Sequence, residues 1–297
     1  MKDKENNGIT RAPLAYENPA FINGPDARVL RILAEYLEPL SRFRREQIQD
    51  TVVFFGSARF TSRSAAQNAL ELLEKPGSRQ AASPQWQQQF KRAHSDLQMA
   101  RYYEDARRLA FLLTEWSLTI PSRRRRFVLT TGGGPGIMEA ANEGAAEAGG
   151  KTIGLNINLP YEQMPNRWIT PELNFEFHYF FMRKLWFAYL AKALVVFPGG
   201  FGTFDELFEI LTLAQTDKLA KRILVVVYGS EYWKRVINFD AMVDTGVISP
   251  GDLDLFKMVD TPEEGFEYLK ENLIKYHLYP PPPGKLARAP EIAKTRP

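Results

Sequence analysis

The chain has 297 residues, 44% of them hydrophobic and 25% charged, and its 38 basic side chains nearly balance 35 acidic ones for a net charge of +3. This is an ordinary globular composition, too balanced to argue for a nucleic-acid partner. Cysteine is absent, which excludes disulfides, thiolate metal sites and a cysteine nucleophile. The histidines (His94, His178 and His277) are too far apart for metal-ligand spacing, so no metal is expected. No apolar run approaches the ~18–20 residues of a membrane span, and the opening MKDKENNG lacks the apolar core of a signal peptide. These features predict a cytoplasmic protein with no membrane partner.

Residues 1–25 are polar and carry Pro13, Pro19 and Pro25, which predicts a loose arm. A single domain is expected over 26–278, followed by a proline-rich, basic tail over 279–297. Leu30, Leu33, Leu37 and Leu40 recur at helical spacing, and Arg42, Arg44 and Arg45 suit the end of that helix. Thr51–Phe55 reads as the first core strand and runs into Gly56 and Ser57, a small-residue turn that a ligand can approach closely. Helices are expected over 64–75 and, as one or two pieces, over 85–118, with a loop at 76–84. Arg123–Arg126 are four consecutive arginines. Such a tetrad can bind nucleic acid, but its place after Pro121 and before a strand favours a solvated loop.

Phe127–Thr130 is the next strand, and it enters TGGGPGIMEAANEG, Thr131–Gly144. Gly133, Gly134 and Gly136 free the backbone amides of this turn to face a ligand, and Pro135 suits a helix start. The turn is neither a dinucleotide fingerprint nor a P-loop: G-x-G-x-x-G fails in register and no G-K-[ST] follows. Strand 152–155 ends near Asn156, and the loop LPYEQMPN, Leu159–Asn166, carries Glu162, a second candidate carboxylate, and Asn166. After a short strand at Glu172–Phe177, FFMRKLWF places Arg183 and Lys184 in the first turns of a helix, where the helix dipole disfavours cations and a bound anion reverses that sign.

An apolar run, Ala193–Phe197, then stops at Pro198, Gly199 and Gly200, and a helix is expected from Thr203. Free amides at such a helix start suit a phosphate. Thr203 and Glu206 form T-x-x-E, which reads equally as a capping box or as a carboxylate at the mouth of a crevice. A strand at Ile223–Val227, a helix at 231–244, a strand at Phe256–Val259 and a helix at Pro262–Tyr276 follow. The order predicts an α/β, doubly wound, Rossmann-like parallel sheet of six or seven strands with helices on both faces and an added N-terminal helix. Its glycine turns should gather on one edge.

TGGGPGIMEAAN (Thr131–Asn142) and PGGFGTFDE (Pro198–Glu206), with FMRK (Phe181–Lys184) between them, resemble the LOG family, often labelled lysine decarboxylase-like. The resemblance spans roughly residues 50–275 and is strongest to its longer bacterial members; Phe181 stands where the short forms carry histidine. It implies hydrolysis of the N-glycosidic bond of a nucleoside 5′-monophosphate, AMP-like or a cytokinin riboside monophosphate, without a cofactor. It further implies that Arg183 and Glu206 form the catalytic pair, and that Gly133, Gly134, Gly199, Gly200, Gly202 and Thr203 cradle phosphate and ribose. Glu139 and Lys184 are weaker carry-overs. The surplus of apolar helix surface predicts at least a homodimer. A non-catalytic nucleotide or molybdenum-cofactor carrier is the alternative. A pyridoxal-phosphate decarboxylase is disfavoured because no lysine stands poised at a turn for a Schiff base.

Overall fold

The computed structural model describes residues 11–75, 83–159, 164–219 and 221–278. Its helices are α1 (Pro19–Ile22), α2 (Arg28–Arg45), α3 (Arg63–Glu74), α4 (Pro84–Leu118), α5 (Ile137–Glu147), α6 (Phe180–Leu190), α7 (Phe201–Gln215), α8 (Ser230–Val236), α9 (Phe239–Asp244) and α10 (Pro262–Leu273). Its strands are β1 (Thr51–Phe55), β2 (Val128–Thr131), β3 (Thr152–Ile157), β4 (Asn174–Phe177), β5 (Ala191–Val196), β6 (Leu224–Tyr228) and β7 (Phe256–Val259). All seven pair in parallel in the order β4-β3-β2-β1-β5-β6-β7. The chain therefore builds outward from β1 to one edge, returns at β5 and builds to the other. The crevice between the two halves opens at the carboxyl ends of β1, β2 and β5, where such sheets bind ligands.

Both faces are covered, which is why the strands are nearly all apolar. Alternate residues of one strand serve opposite cores. Val52 and Phe54 join α4, α5 and α10 on one side, whereas Val53 and Phe55 join α2, α6, α7 and α8 on the other. Each Leu or Phe so buried contributes roughly 1.5–3 kcal/mol.

Several sequence expectations shift. The one or two helices predicted over 85–118 are one 35-residue helix, α4, begun by the Ser83 cap and Pro84, and residues 76–82 of the predicted loop lie outside the described residues. The helix predicted over 231–244 is two, α8 and α9, broken at Ile237 and restarted where the Asn238 side chain accepts the Ala241 amide. Residues 15–27 carry helical turns held by Arg31, which donates to the Ile22 and Gly24 carbonyls, while residues 1–10 of the expected arm and the expected tail over 279–297 lie outside the described residues. On α2 the inward stripe is the half-buried Ile32, Tyr36 and Leu40 with the buried Phe43, while Leu30, Leu33 and Leu37 are exposed. The 3.6-residue period fixes that a helix forms, but two apolar stripes leave its inward side undetermined.

Candidate active site

The three glycine-bearing turns meet on one edge of the sheet and are bonded to each other. The Ser57 amide donates to the Pro198 carbonyl at 2.9 Å, and the Ser57 carbonyl accepts the Ile137 amide at 3.1 Å. Gly56 serves packing here: a β-carbon on it would lie 2.7 Å from Ile137. The Ser57 hydroxyl accepts the Arg59 amide within its own turn.

The corner after β2 is crowded. Gly133 (φ 76°) and Gly136 (φ 73°) lie in the left-handed region, and a β-carbon would overlap the Asn156 side chain at the first and the Ser57 carbonyl at the second. Asn166 braces this corner from outside. Its side-chain amide donates to the Gly133 and Gly134 carbonyls, both at 3.1 Å, and to Asn142 Oδ1 at 3.0 Å. Asn142 also accepts the Thr131 hydroxyl at 2.6 Å. Beyond the corner α5 begins at Ile137, and Glu139, in its first turn, lies close enough to Tyr103 of α4 to affect its ionisation.

The corner after β5 is mixed. Gly199 is closed, because a β-carbon there would overlap the Thr203 hydroxyl, and its carbonyl accepts the Tyr232 hydroxyl at 2.6 Å. Gly200 and Gly202 are open: added β-carbons would meet nothing within 4 Å. α7 starts at Phe201, two residues before the expected Thr203, with Gly200 as its cap residue. The Phe201 and Gly202 amides are its first and find no acceptor among the described residues. They have the geometry and partial positive charge to receive an anion.

The earlier helix start removes the capping box. Glu206 lies in the second turn of α7 and makes no cap hydrogen bond. It is 6% exposed, and no donor among the described residues reaches its carboxylate, yet its oxygens are not among the atoms sealed from solvent without a partner. Burial lifts this carboxyl to about 7 against the opposing pull of Lys184 and Arg183. A buried acid left without a hydrogen-bond partner is costly, so its retention points to function.

Arg183 approaches from α6. Its Nε donates to the Leu155 carbonyl of β3 at 2.7 Å, and its guanidinium lies over Phe187. A terminal nitrogen lies so close to Gly132 that a β-carbon there would come within 2.5 Å of it. Burial lowers the guanidinium pKa and Glu206 raises it, so the two side chains sense each other without forming a direct ion pair. Lys184 instead joins Asp205 at 2.7 Å and Glu209 at 2.6 Å; burial lowers its pKa, but these bonds raise it further. It thereby clamps α6 to α7 on either side of Glu206 in sequence.

Sequence reasoning missed three positioning groups. Glu35 of α2 accepts the His178 and Tyr179 amides at 2.7 and 3.2 Å and so fixes the entry to α6. Tyr232 and Asn156 support one corner each. Their partners are distant in sequence or side-chain contacts, and only the ending of a strand at Asn156 gave a local signal. Glu162 lies outside the described residues.

A family model described as "Possible lysine decarboxylase" matches residues 138–269, a span that contains Glu139, Arg183, Glu206 and the second corner. Cytokinin riboside 5′-monophosphate phosphoribohydrolase LOG3 of Arabidopsis thaliana is 31% identical over 153 residues, which cover 50% of this chain and 68% of that protein. The chain belongs to the LOG family. A second LOG protein of the same plant, cytokinin riboside 5′-monophosphate phosphoribohydrolase LOG7, is 36% identical over 132 residues, 42% of this chain and 58% of its own length. Among solved structures, a molybdenum cofactor carrier protein from Chlamydomonas reinhardtii aligns with 59% of this chain and 89% of its own at 22% identity and a TM-score of 0.38. A likeness that weak says nothing about what this LOG chain binds. Among the described residues no helix is long and apolar enough to cross a membrane.

Proposed function

We propose that the protein hydrolyses the N-glycosidic bond of a nucleoside 5′-monophosphate, releasing the free base and ribose 5-phosphate. Glu206 carries this reading: a buried carboxylate, unbonded and still open to solvent, beside two glycine corners and Arg183. Cleavage of that bond sends its electron pair to the departing base and leaves positive charge on the ribose ring. A carboxylate next to the ring stabilises that charge and orients the water whose oxygen bonds to the anomeric carbon, while one of the water's protons passes to the departing base and the other stays on the new anomeric hydroxyl. Arg183 stays protonated, so its work is to neutralise and position rather than to donate a proton.

The free amides of Phe201 and Gly202 at the start of α7 receive the 5′-phosphate, with Thr203 beside them. Binding energy from that remote group holds the sugar in the reactive geometry. A carrier would need the same cradle but has no use for a carboxylate held unpaired at an energetic cost. The name lysine decarboxylase finds no support in Lys184, which is tied to Asp205 and Glu209.

The test is a panel of AMP, GMP, CMP, UMP and a cytokinin riboside monophosphate, followed by chromatography for the free base. Release from at least one nucleotide, rising with pH through about 7 as Glu206 ionises, is the expected result. Release from none overturns the proposal.

A further inference from the structure

A second cavity, of about 250 Å³, opens at the opposite edge of the sheet, where β2 and β3 begin. Arg123, Arg124, Arg125, Arg126 and Lys151 line it together with Ser122. Two of these cations are already compensated: Arg126 donates to Asp50 at 2.8 Å, and Lys151 is paired with Glu46. No carboxylate forms an ion pair with Arg123, Arg124 or Arg125 among the described residues. Nor can Asp50 be spared for them, since Lys192 and Lys221 also lean on its charge.

The arginines are held in place. The Arg125 amide donates to the Gln47 carbonyl at 2.7 Å, and its own carbonyl accepts the Gln49 amide at 2.9 Å. The Phe127 amide donates to Asp50 Oδ1 at 2.6 Å, and the Phe127 ring stacks on Trp116. Gln47 (φ 58°) and Phe127 (φ 52°) stand in the left-handed region, two of the three non-glycine residues that do so among the described residues. For a bulky residue this is a strained conformation, and such strain collects at functional sites. A loose, solvated loop has no reason to fix its backbone in this way.

We propose that this arginine cavity is a binding site for a compact anion carrying two or more phosphate groups, separate from the nucleotide-binding corners. Guanidinium forks match phosphate oxygens, and several phosphates on one small molecule answer at once three arginines that no ion pair holds, of which only Arg125 leans on the charge of Glu46. The site is concave and small, which suits a short oligophosphate better than the backbone of an RNA strand, whose charges are strung out along a groove. About 13 Å of β2, at ~3.3 Å per residue, separates it from the first glycine corner. The two sites can therefore be filled independently.

Calorimetric titration of the full chain with inorganic tripolyphosphate tests this. Combined Arg123→Gln, Arg124→Gln and Arg125→Gln substitution should weaken binding by at least about tenfold, since a single lost charge-assisted contact costs on that order. Nucleotide hydrolysis and thermal stability should stay unchanged, because these three side chains are exposed. Arg183→Gln should leave tripolyphosphate binding intact. Loss of binding with Arg183→Gln but not with the arginine variant would put the anion at the glycine corners and end the proposal. So would an absence of binding at millimolar tripolyphosphate, or tighter binding of a twenty-nucleotide RNA through the same arginines.

Discussion

The corner after β2 and the corner after β5 are both glycine turns between a parallel strand and a helix, yet they use glycine for different reasons. In the first, Gly133 and Gly136 are required by their positive φ and by neighbours that leave no room for a β-carbon. In the second, Gly200 and Gly202 face open space, and nothing in the protein itself demands glycine there. A glycine that the fold does not need is one that a ligand can need. The first corner is therefore built by the fold's own demands, and the open glycines of the second, which leads into Glu206, support the proposal that the substrate is met there.

The largest effect expected is at Glu206. Glu206→Gln should lower turnover at least ~100-fold, measured with whichever nucleotide the panel identifies. The fold should gain rather than lose stability. The buried carboxyl holds its proton to about 7 against an ordinary 4.5, so the native state is favoured below 4.5 and forfeits that advantage as pH rises to about 7. Glutamine avoids the loss and should stabilise the protein by about 1–3 kcal/mol above pH 7 and by little near pH 4. A variant that melts earlier at pH 8 would mean that Glu206 holds the fold.

Gly136→Ala should come next. Strain at φ 73° and overlap with the Ser57 carbonyl should destabilise the protein by roughly 2–4 kcal/mol in denaturant titrations. A smaller loss would erase the contrast between the corners. Gly200→Ala should do the reverse: its methyl group enters open space, so stability should shift by less than about 0.5 kcal/mol. KM should rise about tenfold as the methyl crowds the phosphate. An unchanged KM would remove the second corner from the cradle.

The braces provide the finest comparison. Asn166→Ala removes donors to Gly133, Gly134 and Asn142, while Tyr232→Phe removes one hydrogen bond to Gly199. Each lost bond costs about 1 kcal/mol, so the first variant should lose more stability. The second should show its effect in KM, and equal, purely thermal effects would make both corners structural.

Much of this was legible beforehand. Apolar runs ending in glycine mark parallel strands that feed a sheet edge, and short-range chemistry makes such signals local. The T-x-x-E pattern left two readings open because the start of a helix depends on which amides find acceptors, and Gly200 rather than Thr203 takes the cap position. Arg123–Arg125 are exposed in a loop, as the sequence suggests, but only the fold shows that Gln47 and Gln49, some 75 residues earlier, bind the Arg125 backbone and that Asp50 holds the Arg126 side chain and the Phe127 amide.

By itself, the sequence determined the parallel α/β sheet, the order of its elements and the two glycine corners with Arg183 and Glu206 beside them. Each of those is written in hydrophobic period or in the stereochemistry of neighbouring residues. Only the tertiary structure decided which glycines are crowded and which are open, that Glu206 is buried and unpaired, and that Lys184 clamps rather than waits for a ligand. Those properties belong to space shared by segments distant along the chain, and burial and electrostatic pairing do not exist until the chain has brought them together.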